Sequence, residues 1–378
     1  MATRERSCIA TRIFILFVLF ALLVGLPLLG VVMDGKSVNQ YTEFPPLTRY
    51  VVHAPFSWSV FIALAAFTIA IVAPFVLRVV RARPADAADE QRSSSFPWWG
   101  WAGFVFGAGA WILAWTRFDW LAPLQHFTFS PLWFAYIVVV NACRFRRTGH
   151  CMLLDRPAYF ALLFGASAAF WWFFEFLNRF VQNWYYIGVQ DLSPFQYVLL
   201  ATLPFSTVLP AVMGTYELLT SFPRLVTGLD NWVRIDIFRP KLAGGAVLIF
   251  SSGGLMGIGV WPDLLFPLLW VAPLFIITSL QVLRGRPTIF SALRRGDWQR
   301  IWLLALSALI CGFFWEMWNY FSLAKWQYAV PFVNRFHLFE MPLLGYAGYL
   351  PFGLECAVVA DAVWAWLKGR FDEGMQDR

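Results

Sequence analysis

Apolar runs of about twenty residues recur along the whole chain, with short clusters of arginine between them, and a run of about that length is what one helical crossing of a bilayer requires. Of the 378 residues, 60% are hydrophobic and 13% charged, too little polar surface to coat a water-soluble core. The composition predicts an all-α polytopic transmembrane helix bundle. A net charge of +7 would point to nucleic acid in a soluble protein. Here the basic residues flank apolar runs, the positive-inside pattern, so the expected partners are the lipid bilayer and a hydrophobic small-molecule substrate, and no nucleic acid. Cys8, Cys143, Cys151, Cys311 and Cys356 lack C-x-x-C spacing, which argues against a disulfide framework or a zinc site. The sequence names no cofactor: it has no phosphate loop, nucleophile elbow or H-E-x-x-H, and no histidine sits mid-span to ligate haem.

Two runs come first. Residues 13–32 follow Arg4, Arg6 and Arg12 and have the charged front of a signal peptide, but their length and the lack of a small-residue cleavage site favour a retained anchor. Residues 56–77 end at Arg78, Arg81 and Arg83 and complete an N-terminal hairpin over residues 1–83. The Ala/Ser-rich residues 84–96 read as a cytoplasmic linker. Beyond it the chain repeats itself at an offset of 141 residues: Gly103 and Gly244 are each followed seventeen residues on by Trp120 or Trp261, and seventy-two on by Glu175 or Glu316. The order of residue types persists after each glutamate, with Asn178 answering to Asn319, Phe180 to Phe321, Trp184 to Trp326 and Tyr186 to Tyr328. Two tandem four-helix repeats follow, over residues 97–225 and 238–378, too long to be solenoid units and read as a duplicated bundle.

The candidate spans are 98–115, 127–143, 159–180 and 195–219 in the first repeat and 242–261, 264–283, 301–321 and 342–367 in the second, which with the leading pair makes about ten. Only six of the 29 Lys and Arg, namely Lys36, Arg49, Arg117, Arg179, Lys325 and Arg335, fall on one side of that zigzag. The skew predicts a multi-pass protein of the cytoplasmic (inner) cell membrane with both termini cytoplasmic. An even number of spans per repeat gives the two copies the same orientation, and both Glu/Asn motifs then lie at outer helix ends. Tryptophan and tyrosine at that depth first suggest an interfacial belt.

A carboxylate at membrane depth costs about 2.5–3.5 kcal/mol on insertion scales, so one that persists faces protein or a water-filled cavity. Glu175, Glu316, Glu217, Glu355 and Asp361 are such residues, with Glu340 at the boundary. In Glu-x-x-Asn both side chains share a helical face, so Asn178 or Asn319 can bond its carboxylate or share a ligand with it, half-buried near the helix end. Arg179, four residues after Glu175, is placed for a helical ion pair; Tyr320 stands at the matching place after Glu316. The second copy also carries His337, Glu340 and Glu355 without counterparts, which makes it the copy expected to hold a site. His337 and Glu340 would share a face if helical, but Pro331 and Pro342 flank them, and no metal is assigned. The bland alternative is that Glu175 and Glu316 pin the bundles together at about 1 kcal/mol each. Glu217 and Asp361, toward the cytoplasmic ends, read as structural.

Glu316, the W-x-Y of Trp326–Tyr328, Pro351 and Glu355 together resemble the membrane-embedded lycopene cyclases and the related carotenoid hydratases, small polytopic proteins that are often duplicated. The likeness covers about forty residues. In those cyclases the proline is followed by paired acids, whereas here Pro351 leads to the single Glu355. The resemblance implies an enzyme on an isoprenoid or lipid substrate, with Glu316, Asn319 and Glu355 in the catalytic roles. Glu175, Asn178, Trp315, Trp318, Trp326, Tyr328, His337 and Glu340 would then bind substrate, a protonated Glu316 acting as acid and Trp315, Trp318 and Trp326 stabilising a carbocation. Two other readings stay open: a transporter of two pseudo-symmetric bundles with helices broken at Pro204, Pro210 and Pro351, and a non-catalytic lipid- or partner-binding scaffold.

Overall fold

The computed structural model describes residues 14–46, 48–82 and 95–376, with side chains through 369. Residues 84–94 of the expected linker, the leading arginines Arg4, Arg6 and Arg12, and Cys8 lie outside the described residues. The chain is mostly helical: α1 (Phe14–Met33), α2 (Trp58–Arg81), α3 (Trp98–Trp115), α4 (Phe129–Thr148), α5 (Pro157–Val181), α6 (Pro194–Phe205), α7 (Val208–Thr220), α8 (Pro240–Gly257), α9 (Ala272–Leu283), α10 (Gln299–Tyr320) and α11 (Tyr349–Gln376). Among the described residues six helical stretches are long and apolar enough to cross a membrane, and eight if the bent pairs around α4 and α9 each count as one span. The 18-residue α3 and α8 are not among them.

Local chemistry sets the helix ends. Ser57 caps α2, its hydroxyl accepting from the Val60 amide, and Arg78 and Arg81 lie in the last turn where the helix dipole favours cations. Pro157 and Pro194 occupy first-turn positions, where the missing N–H costs nothing, and Ser193 with Gln196 forms a capping box ahead of α6. Between α6 and α7 the chain breaks just after Pro204. The Ser167 hydroxyl bridges that break, donating to the Phe205 carbonyl (2.6 Å) and accepting from the Leu209 amide (3.0 Å), which supplies the partners an interrupted helix needs away from water.

The core is built on α7, buried along Val208–Thr215, which packs against α4, α5, α10 and α11; α11 packs in turn on α5, α9 and α10. Outer pairs form where α3 lies on α4 and α8 on α9. Gly103 and Gly244 allow those close approaches: a Cβ at Gly103 would sit 2.7 Å from Val138 Cγ1, and one at Gly244 3.0 Å from Val282 Cγ1, the small-residue packing that membrane helices use. By contrast α2 buries none of its residues and turns Ile62, Phe67, Ile69 and Val80 outward, as expected of a helix whose solvent is lipid.

Short strands add what an all-helical reading omits. Strand β1 (Trp184–Ile187) pairs antiparallel with β2 (Lys325–Tyr328), in the register Trp184 to Tyr328, Tyr185 to Gln327, Tyr186 to Trp326 and Ile187 to Lys325. Strands β3 (His337–Leu338) and β4 (Met341–Pro342) form a second small ribbon. The first ribbon joins the chain just after α5 to the chain just after α10, and so brings the two Glu/Asn motifs together.

Candidate functional site

The ribbon is tied down by the two asparagines. Asn178 donates to the Trp184 carbonyl (2.7 Å), and its oxygen accepts from the amides of Asn183 (2.8 Å) and Trp184 (3.4 Å). Asn319 does the same for β2, donating to the Trp326 carbonyl (2.8 Å) and accepting from the Trp326 amide (3.0 Å). Neither amide reaches a carboxylate, as the shared helical face had suggested. Each satisfies a strand that starts too close to its helix to be paired from both sides, which is what buried backbone demands.

With the asparagines holding the backbone, the strands' aromatic side chains return to the glutamates. Glu175 Oε1 accepts from Trp171 Nε1 (3.1 Å), Trp184 Nε1 (3.0 Å) and the Tyr186 hydroxyl (2.6 Å). Glu316 Oε1 accepts from the hydroxyls of Tyr328 and Tyr349, both at 2.7 Å, and Trp326 Nε1 donates to the Tyr328 hydroxyl at 2.9 Å. Both carboxyl groups are fully buried, not half-buried as their place near helix ends suggested, because the ribbon covers them. Nor does Arg179 pair with Glu175: it donates to the backbone carbonyls of Gln40 (2.8 Å) and Pro45 (3.3 Å). The second oxygen of each glutamate has no partner among the described residues.

Burial first, and the adjacent carboxylate second, push the phenols of Tyr186 and Tyr328 well above the ordinary value of 10.0. A phenol that keeps its proton in the folded state but loses it on unfolding makes stability fall as pH rises past about 10. The expected result is a thermal midpoint that drops on raising the pH from 9 to 11, with the drop reduced in Tyr186→Phe and Tyr328→Phe. An unchanged alkaline slope in both variants contradicts the assignment.

All six rings in these networks line one cavity, of about 1090 Å³ with its mouth included. It lies under the ribbon, between residues of both halves, with Trp315, Trp270, Phe129 and Phe205 adding further aromatic wall, and Ala201, Val208 and Gly348 among the small and aliphatic positions. Neighbouring rings are in contact: Trp171 lies 6.4 Å from Trp184 and from Trp315, Trp184 lies 5.5 Å from Trp270, and Trp315 stacks on Tyr349 at 5.9 Å.

Of the residues singled out from sequence, Trp315, Trp326 and Tyr328 line the cavity, while Glu175 and Glu316 stand behind its rings and Asn178 and Asn319 behind the ribbon. The others lie elsewhere. Trp318 is buried against Trp133 and Trp111. Glu355 accepts from the Leu274 amide (3.3 Å) in the first turn of α9, where a carboxylate complements the helix dipole. His337 and Glu340 sit on and beside β3, not on a helix; His337 Nε2 contacts Asn334 Oδ1 (3.2 Å) and Glu340 holds Lys325 Nζ (2.5 Å).

Sequence reasoning passed over Trp171, Tyr186, Trp270 and Tyr349 as site residues. The repeat signalled Tyr186, and nothing local signalled Tyr349. His53 fastens three segments: its Nδ1 meets Asp263 Oδ1 (2.6 Å) and its Nε2 the Gln182 carbonyl (3.2 Å). Comparison with protein-family models, curated proteins and solved structures finds no match for this chain.

Proposed function

We propose that this chain is a multi-pass protein of the cytoplasmic membrane that binds a hydrophobic small molecule in the aromatic cavity between two copies of a four-helix unit. One observation carries the reading: every ring that the two buried glutamates organise also lines that cavity. Pockets for small molecules are typically apolar and aromatic, with a few placed polar groups. An isoprenoid or another lipid suits such a wall.

The duplication is supported by parallels at several depths. Exchanging equivalent residues of the two motifs turns the pair Trp184 and Tyr328 into the pair Trp326 and Tyr186, which is also a pair of the ribbon. At the other end of the helices Arg156 pairs with Glu217 and Arg300 with Asp361, the latter through two contacts of 2.7 and 2.8 Å, and both members of the second pair lie 144 residues after those of the first. The aligned Trp120 and Trp261 are both largely exposed, consistent with interfacial anchoring. On this reading there are ten spans in parallel copies, both termini are cytoplasmic, and the ribbon is on the outer side.

Glu316 as a general acid toward an isoprenoid is the second reading, favoured by the two phenols, Tyr328 and Tyr349, that stand between Glu316 and the cavity and could relay a proton. Against a site in one copy only, Glu175 has an equally developed network.

The test is native mass spectrometry of the full chain released from mild detergent, wild type against Ala201→Trp, which fills the cavity from α6. The expected result is a retained apolar molecule in the wild type that is lost in the variant. Equal retention by both, or only bulk phospholipid in both, removes the cavity as a ligand site.

A further inference from the structure

The polar edges of the cavity's rings are already engaged. Trp171, Trp184 and Tyr186 donate to Glu175, Tyr328 and Tyr349 donate to Glu316, and Trp326 donates to Tyr328. A ligand therefore cannot draw on those six hydrogens, as a phosphate or carboxylate would. What an indole or phenol with an occupied edge still offers is its face, and the face of an aromatic ring is its negative pole. Donation of the N–H or O–H into a carboxylate adds electron density to the ring and deepens that pole. No lysine or arginine occurs among the 21 lining residues, ten of which are aromatic and five of those tryptophan, the best ring for holding a cation.

The carboxyl groups point the same way. Glu175 and Glu316 each accept through Oε1 alone, and Oε2 of each is buried without a partner among the described residues. Neither forms an ion pair with a basic residue among the described residues, since Arg179 is turned to the carbonyls of Gln40 and Pro45. Two buried carboxyl groups without a basic partner, behind a wall of ring faces, are a site that lacks positive charge, and a cation in the cavity favours their ionised form.

On the reading that this cavity holds a ligand, we propose that the ligand is a lipophilic organic cation of the quaternary-ammonium type, held against ring faces of both halves with Glu175 and Glu316 as the countercharge behind them. His126 is the one other ionisable side chain in the lining besides the tyrosines.

The experiment compares two probes of one shape, benzyltrimethylammonium and its neutral carbon isostere neopentylbenzene, on the full chain in nanodiscs free of choline lipid. Saturable quenching of tryptophan fluorescence is read against free probe concentration. The expected result is about tenfold or tighter binding of the cation. The preference shrinks toward unity in the Glu175→Gln/Glu316→Gln double variant, and the binding of both probes is lost in Ala201→Trp. Equal saturable binding of the two probes to the wild type, lost in Ala201→Trp, overturns the cation and leaves the ligand cavity standing. No saturable binding of either probe overturns both. The wild-type ratio decides the matter even if the double variant does not fold.

Discussion

Asn178→Ala lowers the unfolding free energy of the protein by about 3 kcal/mol, and Asn319→Ala by somewhat less. Each truncation leaves buried backbone groups without partners, at about 1–3 kcal/mol apiece. Asn178 satisfies the Trp184 carbonyl and the amides of Asn183 and Trp184, whereas Asn319 satisfies one carbonyl and one amide of Trp326. Both asparagines are fully buried, so water does not restore the lost bonds. The conservative change to Asp should be no better than Ala, because it keeps the acceptor but removes the donor and buries a charge. The check is a denaturation series in mild detergent on the four variants. Losses within about 0.5 kcal/mol, the usual range of surface substitutions, would show that the ribbon does not depend on these amides.

The second large effect separates removal of a carboxyl group from removal of its charge. Glu175→Ala leaves Trp171, Trp184 and Tyr186 without an acceptor, and Glu316→Ala leaves Tyr328 and Tyr349 without one. Both are expected to cost several kcal/mol, on the order of 1–3 for each stranded donor, with Glu175 the costlier. Glu175→Gln and Glu316→Gln keep a carbonyl oxygen in place of Oε1 and should retain most of the stability. Thermal unfolding midpoints of the four variants distinguish the cases. Glutamine variants as unstable as the alanine ones would mean that charge, rather than the acceptor, holds the rings.

The membrane character and the helical elements were legible because apolar length and flanking arginines report directly on a bilayer, whatever the packing inside it. The spacing paired Glu175 with Glu316, and the structure brings their helix ends together through β1 and β2. What each side chain does there was not legible. Helical spacing proposed Asn178 for Glu175 and an ion pair for Arg179, but spacing along one helix says nothing of the strand that folds back over it, or of a distant segment such as residues 40–45 whose carbonyls need a donor. Tyr349 could not be assigned to Glu316 from sequence, because the contact joins residues 33 apart across two helices. Glu355, which the likeness grouped with Glu316, accepts from the Leu274 amide in the first turn of α9.

Everything at the site depends on one register, in which Tyr185 stands opposite Gln327 and the Tyr185 hydroxyl donates to the Gln327 side chain at 2.9 Å. The measurement that tests it most directly is cross-strand disulfide formation in the intact membrane protein, mapped by mass spectrometry of peptides. Cross-strand Cα separations of about 4.5–5.5 Å fall within the span of about 4.4–6.8 Å that a disulfide bridges. Tyr185→Cys with Gln327→Cys should link in high yield under mild oxidation, while Ile187→Cys with Tyr328→Cys, at opposite ends of the ribbon, should not. Efficient linkage of the second pair with none of the first would contradict the ribbon, and with it the single cavity built from both motifs.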